Sequence, residues 1–451
     1  MSRSATTIAA LATPVGTAAI AVVRVSGPDT EILAREILGG APPPRVATHA
    51  DYRDRQGGLL DDVLVTYYAG PKSYTGEDSL EVSCHGNPFI AQKILEDLFA
   101  RGCLPAGPGE FTQRAFLNGR MDLSQAEAVM DLIHARSERA LAAANQQLRG
   151  SLGRRMTALI DRLLGVLARI EAYIDFPDED LPAEDRALVL REIVELSEQT
   201  DRLIATSHYG AVLRDGMKTV IVGPPNVGKS SLLNRLLGRE RALVSSEPGT
   251  TRDFIEERII LGPYSLRLID TAGLNPEPAP LEKLGMEKTN ECIADADLLL
   301  IVLDACDASQ GISEEYLGIS RRCKFLIIFN KSDLCNPVSV PINGAYSKAV
   351  AVSATTGAGI EQLIQEIVAV ADTFRTETGE DSVAINARHD RSLATAWEAL
   401  RRAKNNVSAH GPAELLASDL RTVLSAYGEI TGTVDNELML DRLFTTFCIG
   451  K

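Results

Sequence analysis

Eight residues, Gly223-Pro224-Pro225-Asn226-Val227-Gly228-Lys229-Ser230, narrow the possible folds of this chain sharply. They fit the phosphate-loop pattern G-x-x-x-x-G-K-[ST]. They follow the apolar run Thr219–Val222 and open a helix-length segment, the strand–loop–helix setting that gives the pattern its meaning. In that setting the backbone from Asn226 through Ser231 and the helix N-terminus would hold nucleotide phosphates. Lys229 would neutralise the β- and γ-phosphates, and Ser230 would offer its hydroxyl to magnesium.

Further motifs stand in the order that a GTP site requires. Asp270-Thr271-Ala272-Gly273 closes the apolar run Leu266–Ile269. Asp270 would hold Mg2+ through water, and Gly273 would give an N–H to the γ-phosphate. Asn330-Lys331-Ser332-Asp333 closes Phe325–Phe329. The Asp333 carboxylate can accept from both guanine N1–H and N2–H₂, a donor pair that adenine lacks, so it selects GTP over ATP. Ser353-Ala354 closes Val350–Val352, where a backbone N–H would meet guanine O6. All of these fall at strand C-terminal ends, where open α/β sheets bind ligands.

Gly249-Thr250-Thr251-Arg252-Asp253 occupies the switch position, with Thr251 as the second protein oxygen for magnesium. Leu274 follows Gly273 where small regulatory GTPases place a water-orienting glutamine. An aliphatic side chain cannot do this. Glu277, Glu282 and Glu287 lie just beyond, and chemistry alone leaves all three open as the carboxylate that positions water.

With 451 residues the chain needs about three domains. Short apolar runs and a predicted helix over Pro88–Arg101 make the N-terminal part α+β. Strands are expected at Ala18–Val25, Asp62–Tyr68 and Ser79–Cys84, with Pro42-Pro43-Pro44 in a loop. From Leu123 to Ser207 the rhythm is helical, with Met156, Leu159, Ile160, Leu163, Leu164, Leu167 and Ile170 as an apolar stripe. From Gly216 the pattern is β–α alternation with parallel strands, and helix returns at Arg391–Val407 and Ala413–Ala426. The expected fold is therefore multidomain, α/β and α+β: an N-terminal domain, then a helical domain into which a P-loop α/β domain is inserted. The expected boundaries are 1–118, 119–213, 214–374 and 375–451.

A net charge of −15 argues against broad nucleic-acid binding but not against a local basic face. Seven scattered cysteines without C-x-x-C spacing read as reduced thiols, not a disulfide framework or zinc site. Apolar runs are far shorter than the ~20 residues that span a bilayer. A cytoplasmic protein with no membrane segment is expected.

Several segments resemble the MnmE (TrmE) family of tRNA uridine-modification GTPases, nearly end to end. They are Pro14-Val15-Gly16 with Val23-Arg24-Val25-Ser26-Gly27-Pro28; Ser73-Tyr74-Thr75-Gly76-Glu77-Asp78 with Cys84-His85-Gly86; and Pro108-Gly109-Glu110-Phe111-Thr112 with Arg114-Ala115-Phe116-Leu117-Asn118-Gly119. Asp122-Leu123-Ser124-Gln125-Ala126-Glu127-Ala128 continues the match, and the end Phe447-Cys448-Ile449-Gly450-Lys451 is its most distinctive piece.

The resemblance implies an N-terminal domain that binds 5-formyl- or methylene-tetrahydrofolate and forms a homodimer. Arg24, Glu81, Arg120 and Lys451 match the folate-contacting positions; Arg120 stands where lysine is usual. It implies K+ beside the phosphates, with Asn226 as side-chain ligand. Ser245, Glu247 and Thr250 fall on the loop that supplies the other oxygens, which runs Ser245-Ser246-Glu247-Pro248-Gly249. Glu282 falls on the catalytic glutamate. The tail puts Cys448 forward as a catalytic thiol. The implied partner is the flavoprotein MnmG, in a heterotetramer that adds an aminomethyl or carboxymethylaminomethyl group to carbon 5 of the wobble uridine of certain tRNAs. The competing reading is a ribosome-assembly or other regulatory switch GTPase, for which a basic RNA-binding appendage would be expected.

Overall fold

The computed structural model describes residues 6–175, 183–239, 256–270, 295–307, 323–335, 349–376, 383–433 and 443–450, together with 293 and 440. Two compact units result: the chain up to Met130 with the stretch from Gly428, and Asp131–Tyr427.

The first unit is built on a six-stranded sheet of order β3-β4-β5-β2-β1-β6. Its strands are β1 (Ile8–Leu11), β2 (Ile20–Ser26), β3 (Ala47–Arg53), β4 (Leu59–Tyr68), β5 (Ser79–His85) and β6 (Leu104–Pro105). All pairings are antiparallel except β1 with β6. Alternation in β2 and β5 buries Val23, Val25, Leu80 and Val82 beneath helices α1 (Thr30–Leu38) and α2 (Pro88–Ala100), which contribute Leu33, Ile94 and Leu98. Helix α2 starts where it does because the Asn87 side chain accepts from Phe89 N–H and Pro88 follows at the first turn. Helix α3 (Glu110–Leu117) contributes Phe111 to a second cluster with Ile8, Ala10 and Ala106. The expected strands and the Pro88 helix are present. β1, β3, β6, α1 and α3 are additional, each too short or too polar to show a clear period.

Residues from both ends of the second unit form helices, and a second sheet lies between them along the chain. Helix α4 (Leu123–His134), which crosses from the first unit into the second, leads to α5 (Glu138–Leu148), α6 (Ser151–Asp175), α7 (Ala183–Ala205) and α8 (Ser207–Asp215). The α6 stripe buries Met156, Leu159, Leu163, Leu167 and Ile170 as expected, but Leu164 is 43% exposed, because its place is off the buried face. Beyond the sheet the chain returns as Ala387–Ser408 and Ala413–Thr431. The helix Ala387–Ser408 packs on α7, and Thr200 hydrogen-bonds Tyr427 at 2.6 Å. The α/β segment is thus inserted into a helical domain.

That segment has sheet order β12-β11-β10-β7-β9-β8. The strands are β7 (Met217–Val222), β8 (Glu256–Leu261), β9 (Tyr264–Asp270), β10 (Leu298–Asp304), β11 (Lys324–Asn330) and β12 (Ala349–Ala351). Leu298, Leu300 and Val302 of β10 join one core cluster; Leu299, Ile301 and Leu303 join another on the opposite face. Burial on both faces explains the unbroken apolar run. One strand departs from the all-parallel expectation: β8 pairs antiparallel with β9 through a two-residue turn at Gly262-Pro263, which permits only a hairpin. No helix among the described residues is long and apolar enough to cross a membrane.

The cysteine expectation needs one correction. Cys306 and Cys335 form a disulfide with Cα atoms 5.4 Å apart. Their separation of 29 residues hides the pairing in the sequence. They meet because β10 and β11 are neighbouring parallel strands and each cysteine follows its strand's C-terminal end. Cys84, Cys103, Cys323 and Cys448 are free thiols.

Candidate functional site

The phosphate loop connects β7 to helix α9 (Lys229–Arg239). Asn226 has φ 62°, a left-handed conformation that asparagine tolerates better than most residues. Gly228 has φ 94°, and a Cβ there would lie 2.3 Å from Asn330 Nδ2. Only glycine lets the loop approach β11 so closely. Lys229 Nζ donates to the carbonyls of Gly223 at 2.9 Å and Pro224 at 2.8 Å, so its charge sits over the loop.

Asn330 joins three loops. Its Nδ2 donates to Val227 O at 2.8 Å, and its Oδ1 accepts from Ala354 N–H at 3.0 Å. It is 2% exposed. Lys331 takes φ 66° and donates to Asp304 Oδ2 at 2.6 Å. That bond, then the N–H of Cys306, holds the Asp304 carboxyl below its ordinary range. Asp333 lies exposed on the following turn, closed by Leu334 N–H donating to Lys331 O at 3.0 Å. Ser353 and Ala354 are buried; Ser353 N–H donates to Ala358 O at 2.9 Å. Arg235 of α9 donates to Ala354 O at 2.7 Å and also to Thr355 O.

Thus the phosphate loop, the Asn330–Asp333 turn and the Ser353-Ala354 loop meet at one edge of one sheet. Ser230 is exposed at the helix start, and Asp270 ends β9, adjacent to β7. Ser245, Ser246, Glu247, Pro248, Gly249, Thr250, Thr251, Thr271, Ala272, Gly273, Glu282 and Lys451 lie outside the described residues.

A second polar cluster lies in the first unit. Arg24 and Glu81 are register partners across β2 and β5. Arg24 Nε and Nη2 donate to Glu81 Oε1 at 3.0 and 2.8 Å, and Nη1 donates to Gly450 O at 3.2 Å. The guanidinium lies 5.6 Å from the Tyr74 ring centroid and 5.8 Å from that of Phe111. Tyr68 donates to Glu81 Oε2 at 3.4 Å; burial first, then Glu81, pushes the Tyr68 hydroxyl pKa up. The chain end runs beside α3: Gly109 N–H donates to Cys448 O at 3.2 Å, and Ile449 bridges to Pro108. Gly450 has φ 92°, and a Cβ there would lie 2.3 Å from Leu11 O. Arg120 is exposed, with its Cγ against Gly76. Cys448 is exposed.

The roles of Tyr68, Tyr74 and Phe111 around Arg24, and of Asp304 and Arg235 around the nucleotide loops, are not readable from sequence pattern: Tyr68 and Asp304 arrive by strand register, Phe111 and Arg235 on helices and Tyr74 on a loop.

A mostly parallel sheet bearing this loop set at one end of its strands defines a P-loop GTPase, inserted here in a helical domain that follows an N-terminal sheet domain along the chain. Residues 123–448 match the MnmE helical domain, and residues 7–120 match the family described as GTP-binding protein TrmE N-terminus. A tRNA modification GTPase MnmE from Opitutus terrae is 58% identical over 446 residues, covering 99% of each chain. The protein of the same description from Akkermansia muciniphila is 45% identical over 451 residues, again covering 99% of each. The chain belongs to the MnmE family of tRNA modification GTPases. This membership, over nearly the full length, displaces the ribosome-assembly reading.

Proposed function

We propose that this protein is a potassium-dependent GTP hydrolase of tRNA wobble-uridine modification. The observation that carries the nucleotide part is Asn330, whose side chain ties the phosphate loop to both loops on the base side. The polar groups fit the ligand: N–H groups and Lys229 would donate to phosphates, and an exposed carboxylate at Asp333 would accept from the N1–H and N2–H₂ of guanine. Lys331 and Ser353-Ala354 flank the base. Ser230 and Thr251 would supply oxygens for Mg2+, Asp270 would act through water, and the Thr271-Ala272-Gly273 backbone would serve the γ-phosphate.

K+ beside Asn226, completed by the 245–250 loop at Ser245, Glu247 and Thr250, would stabilise charge on the β–γ bridge as an arginine finger does. Glu282 positions the attacking water. In the first unit, a carboxylate and a guanidinium flanked by Tyr68, Tyr74 and Phe111 suit a flat heterocycle with N–H donors and a carboxylate tail. This supports tetrahydrofolate binding at Arg24, Glu81, Arg120 and Lys451. When bound, its one-carbon unit supplies the carbon added to uridine. Cys448 lies on the chain end whose Gly450 carbonyl meets Arg24, which supports a chemical role for the tail.

The division proposed is 1–118 for folate binding and dimerisation, 119–213 and 375–451 for the helical domain, and 214–374 for the GTPase. The partners are a second copy, the MnmG flavoprotein in a heterotetramer, and tRNA; the compartment is the cytoplasm. The test is nucleoside analysis of tRNA from cells lacking the protein, with GTP and ATP turnover measured on the purified chain. Unmodified position 5 of the wobble uridine and GTP-selective turnover are expected. Unchanged tRNA overturns the modification role, and ATP use equal to GTP use overturns the base assignment.

A further inference from the structure

We propose that Cys306 and Cys335 form a redox modification site that tightens guanine-nucleotide binding when oxidised; this rests on the reading of Asp333 as the guanine-selecting carboxylate. Cys306 follows Asp304-Ala305 at the end of β10, and Cys335 lies two residues after Asp333. The disulfide therefore clamps the loop that holds Lys331 to the turn that carries Asp333. Several bonds meet at the same place: Lys331 Nζ to Asp304 Oδ2 at 2.6 Å, Cys306 N–H to Asp304 Oδ1 at 2.9 Å, and Ala305 N–H to Asn330 O at 2.8 Å. The crosslinked arrangement is also the one in which Asn330 bridges Val227 and Ala354.

A crosslink removes loop freedom that nucleotide binding would otherwise have to remove, so oxidation pre-organises the base side of the site. The pair is reachable. Cys306 is exposed and Cys335 half-buried, unlike the buried Cys84 and Cys103. Exposed disulfides are the ones small thiols and disulfides interconvert. The oxidant is a low-molecular-weight disulfide. The Cys306 thiolate attacks one of its sulfurs; an S–S bond breaks and one small thiolate leaves and takes up a proton. The Cys335 thiolate then attacks the Cys306 sulfur of the mixed disulfide, releasing the second small thiolate, which is protonated in turn. One small disulfide becomes two small thiols, and two protein thiols become one disulfide.

The test uses the full chain with Mg2+, equilibrated in reduced or in oxidised glutathione. Fluorescent methylanthraniloyl-GDP is titrated, and peptide mass mapping follows the disulfide. The oxidised protein should carry the Cys306–Cys335 crosslink and bind at least about fivefold more tightly, the lower end of ordinary coupling between sites. By reciprocity, bound nucleotide should make the disulfide harder to reduce by the same factor. C306S and C335S should each bind like the reduced parent and show no redox response. Equal affinity in the two mapped states, failure to form this crosslink, or a redox response that survives in both variants overturns the proposal. If the parent binds the nucleotide in neither state, the GTP site itself falls, and this inference falls with it.

Discussion

The Asn330 side chain donates to the Val227 carbonyl at 2.8 Å, so the Asn330–Asp333 turn and the Gly223–Ser230 loop are one hydrogen-bonded unit. N330A leaves the Val227 carbonyl and the Ala354 N–H without this buried partner. The expected loss is about 2–6 kcal/mol of stability, from two orphaned groups. N330D keeps an acceptor for Ala354 but sets an oxygen against the Val227 carbonyl, so it should not rescue. Urea unfolding of both variants checks this; a midpoint unchanged from the parent contradicts the bridge.

Guanine selection should rest on Asp333, which is exposed and poised on its turn. D333N swaps an acceptor for an amide that matches xanthine, whose C2 carbonyl replaces the amine. GTP use should fall by about 10²–10⁴-fold, the value of two charge-assisted hydrogen bonds, while XTP use appears. Turnover of both nucleotides by the variant is the measurement, and parental GTP turnover would show that another group reads the base.

Potassium should raise turnover over sodium by about 10²-fold, the effect of one group placed on developing charge. Nucleotide affinity should change little. Asn226 stands in the phosphate loop at φ 62° with its side chain exposed and available as a ligand. N226A should remove the preference. Equal rates in the two salts at matched ionic strength would eliminate a potassium site.

Deleting Cys448–Lys451 should abolish tRNA modification and leave GTP hydrolysis in place. The tail is held by Gly109 N–H on Cys448 O and by Arg24 on Gly450 O, both within the first unit. G450V tests the same point with the thiol retained, since a Cβ at Gly450 would clash with the Leu11 carbonyl at 2.3 Å. Normal modified-nucleoside levels in the deletion strain would leave the tail without a chemical role.

How much of this was legible in sequence follows from the range of the interactions. The phosphate loop and the Asn330–Asp333 motif are local patterns whose glycine and turn residues carry their own geometry, so spacing alone locates them. The long α6 stripe shows for the same reason. β3 is invisible because Ala47–Arg53 puts mostly polar or small side chains on an edge strand, with only Tyr52 fully buried. The Arg24–Glu81 fork depends on β2–β5 register across 57 residues, and the bond from Arg24 to Gly450 spans 426. No local period encodes either. The Cys306–Cys335 pairing likewise needs the parallel adjacency of β10 and β11. Only family resemblance, not the physics of the sequence, puts Arg24 and Glu81 forward as folate-contacting positions.

Glu282 should be the residue that makes hydrolysis fast. Leu274 leaves the ordinary water-orienting position aliphatic, so a polar group elsewhere must act, and Glu277, Glu282 and Glu287 are the acids within reach of the segment after Asp270. All three lie outside the described residues, and only family resemblance singles out Glu282. Its carboxylate would work through a bridging water. E282A should slow hydrolysis by about 10²–10⁴-fold, the span for a positioned acid or base. GTP affinity should hold, because Lys229, Asn330 and Asp333 are untouched. E277A and E287A are internal controls and should be mild. Single-turnover hydrolysis in potassium for the three variants decides the matter: a near-parental rate for E282A, or an equal loss in either control, would take the role away from Glu282.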